Sequence, residues 1–158
     1  ERQRDQYSGF NLIVGNAGCL LWYSNKNGGI VKLADGIHAI SNHLLNTPWP
    51  KVQAAKEKLG TLLAQRRVIE PKSLLDFLYD RSRPPDGRLP DTGVNLEWER
   101  MLSPMFITSG IYGTRSSSAI TIDTDGTLVF CERAFSTESD LQAPENTRCF
   151  HIKLPWSA

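Results

Sequence analysis

The sequence has almost no excess charge of either sign. Its 158 residues include 18 Lys and Arg and 17 Asp and Glu, which gives a formal net charge of +1. Binding to phosphates depends on clustered Lys and Arg. The densest basic group here, Arg81, Arg83 and Arg88, is interspersed with Asp in a stretch rich in Pro and Gly, and is predicted to be a solvated loop. The composition therefore argues against nucleic acid or an anionic membrane as a partner.

Long apolar runs are missing as well. No run approaches roughly 18 residues, the length that indicates a membrane span, and the chain does not start with the basic and then apolar pattern of a signal peptide. We therefore expect a cytoplasmic protein without a membrane span. The three cysteines, Cys19, Cys131 and Cys149, cannot all pair, and none lies in a CxxC motif. The sequence thus predicts reduced thiols, with neither a disulfide framework nor a zinc knuckle.

Common enzyme signatures are also absent. The sequence contains no GxGxxG, no Walker loop, no HExxH and no GxSxG. His38 and His43 lie in one segment, but no pair of carboxylates completes a metal set, so we predict no metal site. A domain of this size buries roughly 68–70% of its unfolded surface and needs no metal or disulfide to hold it together. We expect a single domain over residues 1–158.

The pattern that is present is strands, then helices, then strands. Short apolar runs separated by Asn, Asp and Gly turns predict strands at 10–15, 19–24, 30–33, 37–41, 105–108, 118–123, 128–134 and 148–154. Apolar residues at helical spacing predict a helix from Lys51 to about Leu63, and Pro71 is well placed to begin a second, shorter one. Residues 83–93 contain too many Pro and Gly for a regular element. This order indicates an α+β fold in which two helices pack on a largely antiparallel sheet system.

Two segments, 36–51 and 112–118, concentrate polar residues at the ends of predicted strands. Asn42 offers an amide that could donate a hydrogen bond to an oxyanion, and Arg115 offers a guanidinium for a carboxylate. The alternative is a turn-forming Asn and a structural ion pair, which the residues taken alone favour. Trp22 and Trp49 are candidates for lining a ligand pocket, although large aromatic residues more often belong to the core.

The same segments carry a resemblance to a known family. Ser41-Asn42, followed by Pro48-Trp49, is similar to a segment of the NRDE family, the transport and Golgi organisation proteins. The further resemblances, in chain order, are Tyr7 to Val14 (YSGFNLIV), Leu89 to Gly93 (LPDTG), Leu102 to Pro104 (LSP), Tyr112 to Arg115 (YGTR), and Gly126 with Phe130, Glu132, Arg133 and Phe135. The chain is identified by this ordered set as a member of that family.

The resemblance implies a fold and a set of site residues. The family resembles the N-terminal-nucleophile hydrolases, whose four-layer αββα sandwich uses the first residue as nucleophile and its α-amine as base. By this analogy Asn42 would supply an oxyanion donor, and Arg115 would hold the nucleophile region or an anionic group of the substrate. The analogy also implies ligand-binding residues near that pocket, namely Ser41, Trp49, Tyr112 and Thr114.

The chain also departs from the family pattern. Family members begin with Met-Cys and carry an Asn-Arg-Asp-Glu motif, whereas this chain begins with Glu1 and lacks both. We therefore expect the C-terminal portion of the family's domain, with the missing N-terminal portion as its partner. Hydrolysis by this chain alone is not expected, because Glu1 can be neither the nucleophile nor its base.

Three functions are consistent with these observations. The first is hydrolysis of amide or ester bonds by the complete protein, and the second is a non-catalytic haem or lipid carrier linked to Golgi organisation and secretion. The third is an interaction domain without a small-molecule site. No cofactor is predicted, but haem is a candidate transported ligand, and His38, His43 and His151 are candidate axial ligands by residue type alone.

Overall fold

A computed structural model of the chain describes residues 3–16, 18–65, 68–135 and 147–155. The helices and strands are β1 (Asn11–Asn16), β2 (Cys19–Ser24), β3 (Ile30–Lys32), α1 (Pro50–Ala64), α2 (Pro71–Leu78), α3 (Leu96–Leu102), β4 (Ser116–Ile122), β5 (Thr127–Ala134) and β6 (Thr147–Lys153). The strands form two antiparallel three-stranded sheets, ordered β1-β2-β3 and β4-β5-β6. The predicted α+β fold is confirmed. The chain divides into two compact units, Glu1–Gly60 and Thr61–Ala158, and the division falls within α1. The expectation of a single domain stays a prediction.

The first unit is organised by the predicted β1–β2 hairpin. The register pairs Asn16 with Cys19, and the Gly18 amide donates to the Asn16 side-chain oxygen at 2.9 Å, which closes a tight turn. Gly15 has to be glycine because a Cβ there would lie 2.0 Å from the Cys19 carbonyl oxygen. On β2, the buried Trp22 donates its indole N–H to the side-chain oxygen of Asn11 on β1 at 3.0 Å. This cross-strand bond satisfies a polar group that would otherwise be costly to bury.

The core of the second unit lies between α2 and one face of its sheet. Leu75 of α2 packs with Ala119 of β4 and Cys131 of β5, and all three are buried. Alternate residues of a strand point to opposite faces, and the opposite face of this sheet is largely exposed. Its exposed apolar residues are Ile120, Ile122, Phe150 and Ile152, each 45–59% accessible. The sheet thus has one face covered by helix and one apolar face open to solvent.

Phe150, Ile152 and Leu154 alternate with polar residues in the sequence, which predicts a half-buried final strand, and this prediction is wrong. Both faces of β6 are exposed beyond its first residue. The strand is held by its ladder to β5, and at its end the Lys153 ammonium donates to the Asp125 carboxylate at 2.9 Å. Because no strand pairs with the other side of β6 among the described residues, β6 is an edge strand.

Two other predicted strands are not strands. In residues 37–41 the backbone bonds locally: both the Ala39 N–H and the Ala39 carbonyl are bound by Asn46. In residues 105–108 the Phe106 N–H donates to the Asp80 carbonyl, and Thr108 makes an isolated bridge with Gly113. Apolar runs predicted strands here, but a short apolar run does not by itself distinguish a strand from another kind of buried segment.

The structure also contains a third helix that periodicity did not predict. Asn95 caps α3 by accepting a hydrogen bond from the Trp98 N–H at 3.0 Å. Inside α3, the buried Glu99 accepts hydrogen bonds from both the backbone N–H and the hydroxyl of Thr92, at 2.7 and 2.6 Å. The sequence signal was an Asn followed by two acidic residues, which is typical of a helix start. Across the part of the chain that the structure describes, no helix has the length and apolarity to cross a membrane.

The prediction of reduced thiols is wrong for two of the three cysteines. The β5–β6 register places Cys131 directly opposite Cys149, with their Cα atoms 4.1 Å apart, and the two form a disulfide. Cysteine spacing along the chain could not reveal this pairing, because register depends on strand pairing. Cys19 is a free thiol. Disulfides persist mainly in oxidising compartments, so this bond does not favour the predicted cytoplasmic location, which no other feature tests.

Candidate functional site

A cavity of about 680 Å³ lies in the first unit, beside the start of β1 and the end of β2. A volume of this size suits a small organic molecule. Its lining residues are Gly9, Phe10, Asn11, Ser24, Lys26, Ile40, Ser41, Asn42, His43 and Leu44. The lining combines apolar side chains with amides, hydroxyls, an imidazole and one ammonium group, and it contains no carboxylate. Two of the predicted site residues, Ser41 and Asn42, lie together at this cavity.

The loop that carries Ser41 and Asn42 is closed by Asn46. The Ala39 N–H donates to the Asn46 side-chain oxygen at 3.1 Å, and the Asn46 N–H donates to the Ala39 carbonyl at 2.8 Å. Asn46 has a φ of 57°, in the left-handed region that Asn tolerates better than most residues. These hydrogen bonds join the two ends of the loop, at Ala39 and Asn46, and so restrain the residues between them.

Two further side chains hold Asn46 itself. Its oxygen also accepts from the Lys56 ammonium of α1 at 3.2 Å, and its amide nitrogen lies 3.1 Å from Nδ1 of His38. His38 Nε2 lies 2.8 Å from the Ala34 carbonyl, which can only accept, so Nε2 carries the proton and Nδ1 accepts from Asn46. Both nitrogens of His38 are therefore used in supporting the loop.

The side-chain amide of Asn42 forms no hydrogen bond within the described part of the chain. The residue is exposed and lines the cavity. The backbone of Asn42 also forms a turn, because the His43 N–H donates to the Ser41 carbonyl at 2.6 Å, so the turn-forming role and an available side-chain amide occur together. Asn42 thus offers two N–H donors and a carbonyl to a ligand.

Lys26 supplies the charge of the cavity. Its backbone N–H donates to the Ser24 hydroxyl at 3.3 Å, and its aliphatic stem lies over Gly9, where an added Cβ would be 3.2 Å from Lys26 Cε. Its ammonium has no ion-pair partner among the described residues. Because no carboxylate lines the cavity, the local charge is positive and favours a ligand with an anionic or carbonyl group.

His43, adjacent to Asn42, is positioned on three sides. Its ring Nδ1 lies 2.8 Å from the Thr47 hydroxyl, its backbone carbonyl accepts from the Asn11 amide at 2.9 Å, and its ring lies against Trp49 with centroids 5.4 Å apart. The predicted ligand-binding residue Trp49 therefore contacts His43 and is not among the residues that line the cavity.

The remaining predicted site residues lie together in the second unit. The Thr114 hydroxyl accepts from the Ile107 N–H at 3.0 Å, so it is used in closing a turn, while the Tyr112 ring is exposed and packs edge-on against Trp98. Arg115 precedes β4 with its guanidinium exposed, and it has no ion-pair partner in the described parts of the chain. The structural ion pair considered for Arg115 is therefore not formed there. The convergence of Arg115 with Asn42 stays a prediction.

The candidate iron ligands differ in what they offer. Both ring nitrogens of His38 are hydrogen-bonded, His151 is exposed on β6, and His43 lines the cavity with no hydrogen bond between its Nε2 and any described residue. No cluster of three or more His, Cys, Asp or Glu that could hold a metal ion occurs within the described residues. Haem as a cargo would thus have one histidine of this cavity to bind, His43.

Sequence reasoning missed Lys26 and Asn46, which complete the cavity and its loop. Lys26 lies in the Asn and Gly-rich turn after β2, where a charged residue is ordinary, so nothing marked it. Asn46 did have a signal: an Asn just before Thr-Pro is a common place for a turn and for a left-handed backbone.

Comparison with known proteins finds a matching family model and similar curated proteins. The family model described as Transport and Golgi organisation 2 matches residues 1–137. Among curated proteins, the chain is 28% identical over 160 residues to the Transport and Golgi organization protein 2 homolog of Bos taurus and 27% identical over 161 residues to that of Homo sapiens. The Mus musculus homolog is 24% identical over 160 residues. These alignments cover 93–94% of this chain and 58% of each relative, so the chain spans less than two thirds of their length.

Proposed function

The chain belongs to the Transport and Golgi organisation 2 family, and from that premise we propose that its Asn42 cavity binds an acyl compound whose amide or ester bond the whole protein hydrolyses. Family membership confirms the NRDE resemblance of the sequence. It does not specify a reaction, because the names of the relatives describe a cellular process. The proposed reaction rests on the chemistry of the cavity and on the analogy with N-terminal-nucleophile hydrolases.

The observation that carries the proposal is the unused amide of Asn42. Hydrolysis of an acyl bond develops negative charge on the carbonyl oxygen, and a donor that is already in place stabilises that charge without reorganising. Asn42 has this character, because its loop is closed by Asn46 while its own amide binds none of the described residues. Lys26 in the same lining adds positive charge to the cavity, which favours an oxyanion there.

In the proposal the nucleophile comes from outside the cavity lining. Ser24 is buried and its hydroxyl accepts the Lys26 N–H, and no cysteine lines the cavity. The hydroxyl of Ser41, the other lining serine, has no hydrogen bond to a base among the described residues. In the proposal the nucleophile is the starting Cys of the whole protein, and Arg115 holds the nucleophile region or an anionic group of the substrate. This chain alone is expected to bind without turnover.

The test compares Asn42→Ala with wild type in the whole protein. Turnover of p-nitrophenyl butyrate, a butyryl thioester and a butyryl anilide is followed by absorbance. Loss of one oxyanion donor lowers kcat by about 100- to 1000-fold, and Asn42→Ala should show this loss. Gln53→Ala is the matched control, since it removes an exposed amide from α1 outside the cavity. A kcat within twofold of wild type for Asn42→Ala would remove Asn42 from the mechanism.

A carrier is the second candidate function, and one observation favours it. The cavity contains an ammonium and an unengaged imidazole nitrogen but no nucleophile paired with a base among its lining residues. Such a site can hold an anionic ligand, haem or a lipid, without cutting it. Haemin titration of the whole protein separates the two functions: a carrier gives a Soret shift that His43→Ala abolishes and His151→Ala retains. No Soret shift, together with turnover of the esters, would favour the hydrolase.

The exposed apolar faces support a proposed partner, which is the remainder of the family's domain. Besides the open face of the β4–β6 sheet, the first sheet exposes apolar residues, among them Leu12, Ile13, Val14, Leu20 and Ile30. Apolar surface of this extent is rarely left in water. In the proposal, segments that the curated relatives have beyond this match cover it. The whole protein should then bind much less of the dye ANS than this chain does, and equal binding by both would contradict the proposal.

A further inference from the structure

The hydrogen bonds of Thr47 determine the state of the His43 ring. The Thr47 hydroxyl has one proton, and it lies 2.9 Å from the Leu44 carbonyl, which can only accept. The hydroxyl therefore donates to Leu44 and accepts from His43 Nδ1, 2.8 Å away. In the neutral ring, Nδ1 then carries the proton and Nε2 carries the lone pair. This is the arrangement that positions a histidine to act through Nε2.

The lone pair of His43 belongs to the same site as Asn42. Both residues line the cavity, they are adjacent in the chain, and Nε2 has no hydrogen-bond partner among the described residues. Trp49 packs against the ring, and Asn11 binds the backbone carbonyl of His43, so the ring is supported from two further directions. An imidazole of a cavity-lining residue, with one nitrogen held by a second residue and the other without a partner among the described residues, has the arrangement of a general base.

We infer that His43 is the general base of the Asn42 cavity, an assignment that rests on the proposed hydrolysis. In the proposed reaction the starting Cys of the whole protein first attacks the acyl carbon, the alcohol, amine or thiol leaves with the proton of the Cys thiol, and an acyl thioester remains. His43 Nε2 then takes a proton from the water whose oxygen forms a bond to the acyl carbon. When this tetrahedral intermediate collapses, the bond from carbon to the Cys sulfur breaks and the proton on Nε2 passes to that sulfur. The products are a carboxylic acid and the restored Cys thiol, so atoms and charge balance without a further reactant.

Thr47 has a positioning role in this inference. It does not touch the substrate, and its hydroxyl keeps the lone pair on Nε2 by accepting a hydrogen bond from the His43 Nδ1–H. The charged or titratable groups near His43 are Lys26 in the cavity lining and, through Asn46, His38 and Lys56. No carboxylate lines the cavity, so an acidic side chain does not compete with His43 for the proton.

The first experiment reads the ring directly. In the whole protein, long-range ¹H–¹⁵N NMR of His43 at a pH where the ring is neutral should show a protonated Nδ1 and an unprotonated Nε2. Thr47→Val removes the acceptor at nearly constant shape and should mix the two tautomers, and Thr47→Ser should restore the wild-type spectrum. A wild-type spectrum with the proton on Nε2 would overturn the inference, whatever the activity.

The second experiment reads the chemistry with the ester and thioester substrates. His43→Ala should lower kcat by about 100- to 10,000-fold, the usual contribution of a general base. Thr47→Val should lower kcat by a smaller factor with little change in KM, and Thr47→Ser should recover it. His151→Ala is the control. Activity that needs Asn42 but survives His43→Ala would overturn this assignment alone, whereas a wild type without turnover would overturn the proposed hydrolysis and this assignment together.

Discussion

The closure of the cavity loop by Asn46 predicts an unusual order of stability among its variants. Asn46→Ala removes the side-chain hydrogen bonds to Ala39, His38 and Lys56. It also places an alanine, which has a Cβ but no side-chain hydrogen bond, at a left-handed φ of 57°. Each lost bond is worth about 1 kcal/mol, and the left-handed backbone adds about 1 kcal/mol for a residue such as Ala. We therefore expect Asn46→Ala to lower the free energy of unfolding by roughly 3–4 kcal/mol.

Two further variants separate these contributions. Asn46→Gly loses the same bonds without the backbone cost, so it should be about 1 kcal/mol more stable than Asn46→Ala. Asn46→Asp keeps the acceptor oxygens and loses only the donor to His38, so it should cost about 1 kcal/mol. Urea unfolding followed by tryptophan fluorescence gives each value. If Asn46→Ala is as stable as wild type, or no less stable than Asn46→Gly, the account of the loop is wrong.

Three further predictions concern the second unit. Cys149→Ser opens the disulfide to Cys131, and for a separation of 18 residues the lost restraint on the unfolded chain is worth about 3 kcal/mol, which urea unfolding of the oxidised protein measures against the variant. Leu75→Ala, in the buried cluster of α2, should cost about 2–5 kcal/mol by the same assay, and a cost under 1 kcal/mol would contradict the packing. The hydrogen bond from Lys153 lowers the pKa of the Asp125 carboxyl from 3.8 to about 2. The contribution of this carboxylate to the free energy of unfolding is therefore present above pH 4 and is lost as the pH falls toward 2. Lys153→Met should weaken this dependence of stability on acid pH, and an unchanged dependence would refute the prediction.

The sequence predicted the fold well wherever the local signal was strong. Asn or Asp with Gly between two apolar runs is typical of tight hairpin turns. Such residues stand at Asn16 and Gly18 and at Asp125 and Gly126, and the structure pairs the flanking strands as hairpins in both places. The helix begun at Pro50 was visible in its apolar spacing. Residues 37–41 had an equally apolar pattern, but their hydrogen bonds go to Asn46, and a pattern of side chains does not reveal where a backbone bonds.

The sequence predicted where the candidate site lies, but not the hydrogen bonds that hold its residues in place. Asn42 stood out by its residue type and family segment, and it does line a cavity. The groups that make it usable, the closure by Asn46 and the ring orientation of His43 through Thr47, depend on distances that no spacing rule gives. The disulfide was missed for a related reason, because Cys131 and Cys149 become neighbours only through the register of two strands.

A crystal structure of the whole protein with butyraldehyde would show whether the Asn42 amide binds the oxyanion of an acyl ligand, because the proposed cysteine nucleophile would trap this aldehyde as a tetrahedral adduct. We expect the adduct oxygen about 3 Å from Asn42 Nδ2, inside the cavity lined by Lys26 and His43. An adduct outside this cavity, or one whose oxygen is bound by other donors while the Asn42 amide faces solvent, would contradict this expectation.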